Sequence, residues 1–189
     1  AAHAHGATGM KNALRAGVHS IEHATLMDDE ARLMMKQQGV FMVPTLSALA
    51  TTAGCGAGCG IPVSAVEKAR HMVKRHEKSF TLAHASGLSI ALGTDAGTPL
   101  NYHGENAQEL ERMSRLGMRA MEAIIAGTSA AARLLGLEHE IGAIEAGKAA
   151  DLLLVEGDPL RRLGLLMSKD RLAGVMRNGC FVAGALGEQ

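Results

Sequence analysis

The sequence predicts an α/β protein in which parallel strands are joined by helical crossovers, followed by a small β-rich module. Three observations predict it. Short apolar runs alternate with segments of helical period through residues 1–137, the order that parallel crossover units require. The texture changes after Gly136, where brief apolar runs are separated by Gly and Asp. The side chains are 47% hydrophobic and 20% charged, the balance of a globular protein with a buried core.

Residues 1–4 read as a strand and 8–16 as a short helix stopped by Gly17. A second strand, 18–22, ends at His23. Asp28, Asp29 and Glu30 supply a cap and dipole-favoured acids for a helix that runs to about Gln38 and stops at Gly39. Residues 40–43 form a third strand closed by Pro44. The Ala, Gly, Thr and Ser-rich stretch 47–61 reads as a loop, and 63–86 as a long amphipathic helix with Ser64 as its cap. A fourth buried strand, 88–92, leads into Gly93-Thr94-Asp95-Ala96-Gly97, and helices follow at 105–116 and 119–135, the second split at Gly127. Residues 138–189 carry apolar runs at 142–144, 151–155, 174–176 and 180–182. The breaks Gly147-Lys148, Gly157-Asp158-Pro159 and Asn178-Gly179 are turn signals, Asn-Gly being the strongest for a hairpin. Fifty-two residues are few for an independent core, so this module is expected to pack with strands outside the chain.

Nineteen basic residues cancel nineteen acidic ones, and the aromatics are three Phe and one Tyr with no Trp. A nucleic-acid partner is therefore not expected, because neither a surplus of cationic side chains nor stacking platforms are present. No apolar run reaches the roughly 20 residues of a membrane span, and no membrane partner is expected. The chain opens in mid-element at Ala1 without Met or a signal-like segment, which is expected of a chain cut upstream. Three cysteines, Cys55, Cys59 and Cys180, are too few and odd in number for a secreted framework, so a reducing, cytoplasmic setting is expected. Cys55 and Cys59 lack the usual Cys-x2-Cys spacing and are expected to be plain loop thiols.

In parallel α/β sheets and barrels, ligands bind at the carboxyl ends of strands. The polar residues there are His3 and His5 after the first strand, His23 after the second and Asp95 after the fourth. Imidazole and carboxylate together suit a borderline divalent ion such as zinc. His3 and His5, two apart on a strand, face the same way. Both could hold one ion, or one could hold it while the other reaches substrate, and the spacing alone leaves both open. His71, His76 and His84 sit at spacings of five and eight on the long helix and are expected at its surface. His19 and His139 are assigned no role, and the Met27, Met34, Met35 and Met42 group reads as core filler.

The ordered set His3-Ala4-His5-Gly6, Ala16-Gly17-Val18-His19-Ser20-Ile21-Glu22-His23 and Gly93-Thr94-Asp95-Ala96-Gly97 resembles the second half of the amidohydrolase superfamily. Further matches are Asp28-Asp29-Glu30, Val43-Pro44-Thr45-Leu46, His103-Gly104-Glu105-Asn106 and the 142–152 segment with Gly142, Ile144, Gly147, Lys148, Asp151 and Leu152. The branch it resembles contains imidazolonepropionase-like enzymes and zinc-dependent Xaa-Pro dipeptidases and carboxypeptidases. The resemblance implies strands five to eight of a (β/α)8 TIM barrel over 1–137 and a small β-sandwich portion over 138–189. It implies His3 and His23 as metal ligands ending strands five and six, Asp95 as metal ligand and catalytic proton carrier ending strand eight, and His5 and His103 as substrate contacts. Asp151 matches the family pattern and is expected to be structural. The cofactor implied is a divalent metal, zinc, binuclear in a complete enzyme, where a hydroxide formed at the metals attacks an amide carbonyl while Asp95 moves the proton.

The family's strand-one His-x-His and strand-four Lys have no counterpart here, so two ligands of one metal and one of the other are expected. A full barrel takes about 250 residues, and open outer strands promote association. The chain is therefore expected to form a homo-oligomer or to depend on a missing N-terminal half. The leading expectation is hydrolysis of a small peptide-like substrate at an Xaa-Pro or N-acyl-amino-acid amide bond. Cyclic-amide hydrolysis or deamination within the superfamily, and a non-catalytic metal-binding or interaction module, are the alternatives.

Overall fold

A computed structural model describes residues 1–56 and 58–184. Strands β1 (Ala2–Gly6), β2 (Ser20–Leu26) and β3 (Phe41–Val43) form a parallel sheet in that order. Helix α1 (Ala7–Arg15) connects the first pair and α2 (Asp29–Gln38) the second. The expected fourth strand shrinks to a bridge between Met42 and Ile90. There the Met42 amide donates to Ser89 O at 2.9 Å and the Ala91 amide to Met42 O at 3.0 Å. β3 is only three residues long, so it offers a fourth strand little to pair with. The Leu92 amide turns away to the Ala126 carbonyl instead, at 2.9 Å.

α2 starts and stops as its sequence predicts. The Asp28 carboxylate accepts from the Ala31 amide at 2.8 Å, and Gly39 closes the helix at φ 66°, a conformation that costs Gly little. Asp28 also accepts from Lys11 at 3.0 Å, and these donors hold its carboxyl below the ordinary carboxylate value. Asp28→Ala is expected to destabilise the protein by about 1 kcal/mol in urea unfolding, without change in the denaturant slope.

Residues expected as loop between 47 and 61 instead contain α3 (Leu46–Gly54). Its support comes from far along the chain. Glu109, fully buried on α5 (Ala107–Arg115), accepts from the Leu46 and Ser47 amides at 2.7 and 2.8 Å and from the Ser47 hydroxyl. Those are the donors that a helix leaves orphaned at its N-terminus. Cys55 and Cys59, expected as free loop thiols, are joined as a disulfide with Cα atoms 6.1 Å apart. Gly58 and Gly60, at φ 85° and 81°, let the chain turn back sharply there, and Arg70 ties down the Ala53 and Cys55 carbonyls. Ala57, within that turn, lies outside the described residues.

The long helix α4 spans Val63–Ala85, and its N-cap is Pro62 rather than Ser64. Helices α6 (Ala120–Ala126) and α7 (Ser129–Leu135) are separate, as the Gly127 break predicts. The core lies between the parallel sheet and these helices, with Met10, Leu14, Ile21, Met35, Met42, Phe80 and Met113 fully or almost fully buried.

The C-terminal module is one antiparallel sheet, β4 (Leu152–Val155), β5 (Leu172–Arg177) and β6 (Cys180–Ala183), in sequential order. Asn178 and Gly179 make the β5–β6 turn at φ 49° and 79°, the doubly left-handed turn that Asn-Gly favours. A second sheet layer facing it is not present among the described residues, and residues 185–189 of the expected module lie outside them. The 3-10 turn Leu163–Met167 buries Leu163 in the same core as α5. No helix among the described residues is long and apolar enough to cross a membrane.

Candidate active site

Along β1, Ala4 is buried while His3 and His5 are exposed, so the two imidazoles share one face of the sheet, as their spacing predicts. β2 is less regular. His3 pairs with Glu22, and Ala4 with His23. Strict alternation would therefore put the His23 ring on the core face with Ala4 and Ile21, away from His3. It does not stay there. His23 and Ala24 adopt left-handed backbone, φ 71° and 48°, and the β1–β2 register slips at this point. The kink carries the His23 ring across to His3.

The result is a histidine cluster. His3 Nδ1 lies 2.8 Å from His23 Nε2, and the His5 ring stacks on His23 with centroids 4.4 Å apart and planes 2° from parallel. His23 Nδ1 is 2.7 Å from the Thr45 hydroxyl, and His5 Nδ1 is 2.9 Å from that of Thr25. With the Thr45 oxygen taking the Nδ1 proton, His23 Nε2 presents a lone pair toward His3. Burial, with His5 and His3 adding repulsion and Asp95 opposing, holds the His23 pKa down to about 4. Burial likewise lowers that of His5, with His3 and Lys68 adding and Asp95 opposing. Near neutral pH both rings are uncharged, the state in which imidazole binds metal.

Asp95 stands at the fourth strand position with φ 55°. Its loop is wound on Asn101, fully buried, whose amide donates to the Thr94 carbonyl at 2.6 Å and the Asp95 carbonyl at 3.1 Å. The Asp95 carboxylate is close enough to raise the proton affinity of both His5 and His23 against the effect of burial. His103 is exposed at the far side of this loop, its Nε2 against Gly97, and no hydrogen bond joins it to the histidine cluster among the described residues. Among those residues no three His, Cys, Asp or Glu side chains converge on one point; His3 and His23 do so as a pair.

The pair fits a divalent ion. Two imidazole nitrogens on one tetrahedral zinc stand about 3.3 Å apart, so the 2.8 Å separation of His3 Nδ1 and His23 Nε2 needs an opening of only about 0.5 Å. Thr45 supplies the outer hydrogen bond that fixes the ring and tautomer of a ligand histidine.

Several neighbours of this site differ from the sequence reading or escape it. His76, expected on the surface, is 3% exposed and reaches the His23 carbonyl at 2.9 Å. It falls in the inward stripe Ala69, Val73, His76, Phe80 and Ala83, whose spacing of three and four was visible in the sequence. Ser79, Thr45 and Glu109 carry no such signal, because their partners lie on other elements.

Known proteins resemble this chain in sequence and fold. Residues 1–182 match the amidohydrolase family. Ochratoxinase of Aspergillus niger is 30% identical over 185 residues, which are 97% of this chain and 38% of that protein. The crystal structure of a Xaa-Pro dipeptidase with methionine bound in its active site superposes with a TM-score of 0.86 at 40% identity, covering 96% of this chain and 44% of that one. Imidazolonepropionase of Rubrobacter xylanophilus is 35% identical over 95 residues, half of this chain and 23% of that protein. The chain thus spans less than half the length of these relatives. On the sequence match and the superposition, the chain belongs to the amidohydrolase family.

Proposed function

We propose that this chain contributes half of the active site of a metal-dependent amidohydrolase that cleaves a small peptide-like substrate at an Xaa-Pro or N-acyl-amino-acid amide bond. The observation that carries the reading is the convergence of His3 Nδ1 and His23 Nε2 at 2.8 Å from the ends of adjacent parallel strands. These two nitrogens would hold a divalent ion, zinc by their chemistry, with Asp95 turned toward the same region. Such an ion, when bound, supplies Lewis acidity to the amide carbonyl and makes water acidic enough to ionise near neutral pH.

The chain's own residues do the rest. The Asp95 carboxylate takes the proton of the attacking water and returns it to the departing amine nitrogen, the two proton transfers that amide cleavage needs. Neutral His5, stacked beside the ligand pair, presents its ring to the substrate. Lys68, whose charge is felt at His5, supplies positive potential for the carboxylate of a peptide-like substrate. His103, on the rim of the Asp95 loop, is the outer substrate contact. Cyclic-amide hydrolysis is the second reading, favoured by the likeness to imidazolonepropionase over half the chain.

The test uses the whole protein as its gene encodes it. Chelation is expected to abolish cleavage of Xaa-Pro dipeptides or N-acyl amino acids, and added zinc to restore it. Cleavage that survives exhaustive chelation would end the metal reading. Turnover of a cyclic amide in place of both linear classes would decide for the second.

A further inference from the structure

We propose that His76 and Ser79 of α4 are positioning residues that lock the β2 kink and so aim His23 at its metal. The inference rests on the reading of His23 as a ligand. Without the kink, the pairing of Ala4 with His23 would leave the ring on the core face, opposite His3. The left-handed backbone of His23 and Ala24 turns it over, but the same turn swings the carbonyls of these two residues toward α4. A buried carbonyl needs a donor, and α4 supplies one for each. His76 Nε2–H donates to His23 O at 2.9 Å, and the Ser79 hydroxyl donates to Ala24 O at 2.6 Å. Both donors are almost fully buried, at 3% and 4% exposure.

Each of these contacts is directed at backbone that only the kinked form presents. A regular β2 would send its carbonyls to the neighbouring strands and leave His76 and Ser79 unsatisfied. The helix face therefore selects the one backbone state in which His23 meets His3. His76 is doing more than filling the core: an apolar side chain of its size would fill the same space and favour the wrong face for His23.

The experiment is a cobalt(II) titration of the whole protein, read by the visible absorption of the bound ion, with thermal unfolding measured on the same samples. Cobalt binding by the parent that is lost in His3→Ala and in His23→Ala establishes the underlying reading. His76→Leu is then expected to weaken cobalt binding about 10- to 100-fold, while His76→Gln, which keeps an N–H donor, stays within about threefold of the parent. Ser79→Ala is expected to weaken it about tenfold. Phe80→Leu, on the same buried helix face, lowers the unfolding temperature but leaves cobalt affinity in place. Equal cobalt affinity in His76→Leu and the parent, or an equal loss in Phe80→Leu, overturns the proposal. If His76→Leu does not fold, Ser79→Ala decides on the same criterion. A parent that binds no cobalt, or binds it without His3, removes the underlying reading and the proposal together.

Discussion

Asp95→Asn is expected to lower amide hydrolysis by about 10²–10⁴-fold while leaving the fold unchanged. The substitution keeps the shape of the side chain and one side-chain oxygen, and removes the capacity to accept and return a proton. Nothing that holds the loop is touched, because Asn101 and Thr98 bind the Asp95 carbonyl rather than its carboxylate. The left-handed φ of 55° at this position is one that Asn tolerates as well as Asp. Turnover at saturating substrate and matched metal content is the measurement. Parent-like turnover would remove Asp95 from the proton path, whatever the metal affinity.

The largest effect on stability is expected at Glu109. Glu109→Ala strands the amides of Leu46 and Ser47 and the Ser47 hydroxyl in a buried site. At about 1–3 kcal/mol for each of the three buried groups left without its partner, the loss is at least ~3 kcal/mol, a large part of a domain's stability. Glu109→Gln retains one acceptor and is expected to lose about half as much, as ~2 kcal/mol. Burial raises the Glu109 pKa against the donors from Ser47 and Leu46 and the charge of Arg112. A carboxyl whose folded pKa lies above its unfolded value stabilises most below the unfolded value, near 4.5, and loses that contribution as pH rises through the folded pKa. The stability gap between parent and Glu109→Gln should therefore be widest in acid and narrow toward neutrality. Urea unfolding of both proteins across that range measures it, and a gap that widens with pH would contradict the assignment.

Glu109 also shows where reading the sequence fails. The strand and helix order of residues 1–43 is legible because Gly17, Asp28, Gly39 and Pro44 punctuate it locally, and each acts within a few residues of its own position. α3 has no such punctuation. Its Ala, Thr and Ser look like loop, and the carboxylate that starts it lies 62 residues or more further on. The fourth strand fails in the other sense: 88–92 has the composition of a strand, but its partner β3 is too short to make it one. The site divides in the same way. His3, His5, His23 and Asp95 stand out because strand ends are where such groups are informative. That His23 meets His3 at all depends on a backbone kink that breaks the regular alternation of a strand, and no local residue pattern announces it. The donors that hold the kink lie on a helix more than 50 residues away; the stripe turns His76 inward, but nothing near it in sequence shows which carbonyl it binds.

The outer side of β1 has a further consequence. Among the described residues β1 is hydrogen-bonded only to β2, and in a parallel strand successive residues direct their amides to opposite sides. Alternate β1 amides, protected by β2, should exchange slowly with deuterated solvent, and the others rapidly. Any strand that docks on that side, from the same polypeptide or another copy, would slow the second set without disturbing the first. The alternation of deuterium uptake along Ala2–Gly6 thus reports, residue by residue, whether the sheet that carries His3 and His5 has a neighbour on its open flank.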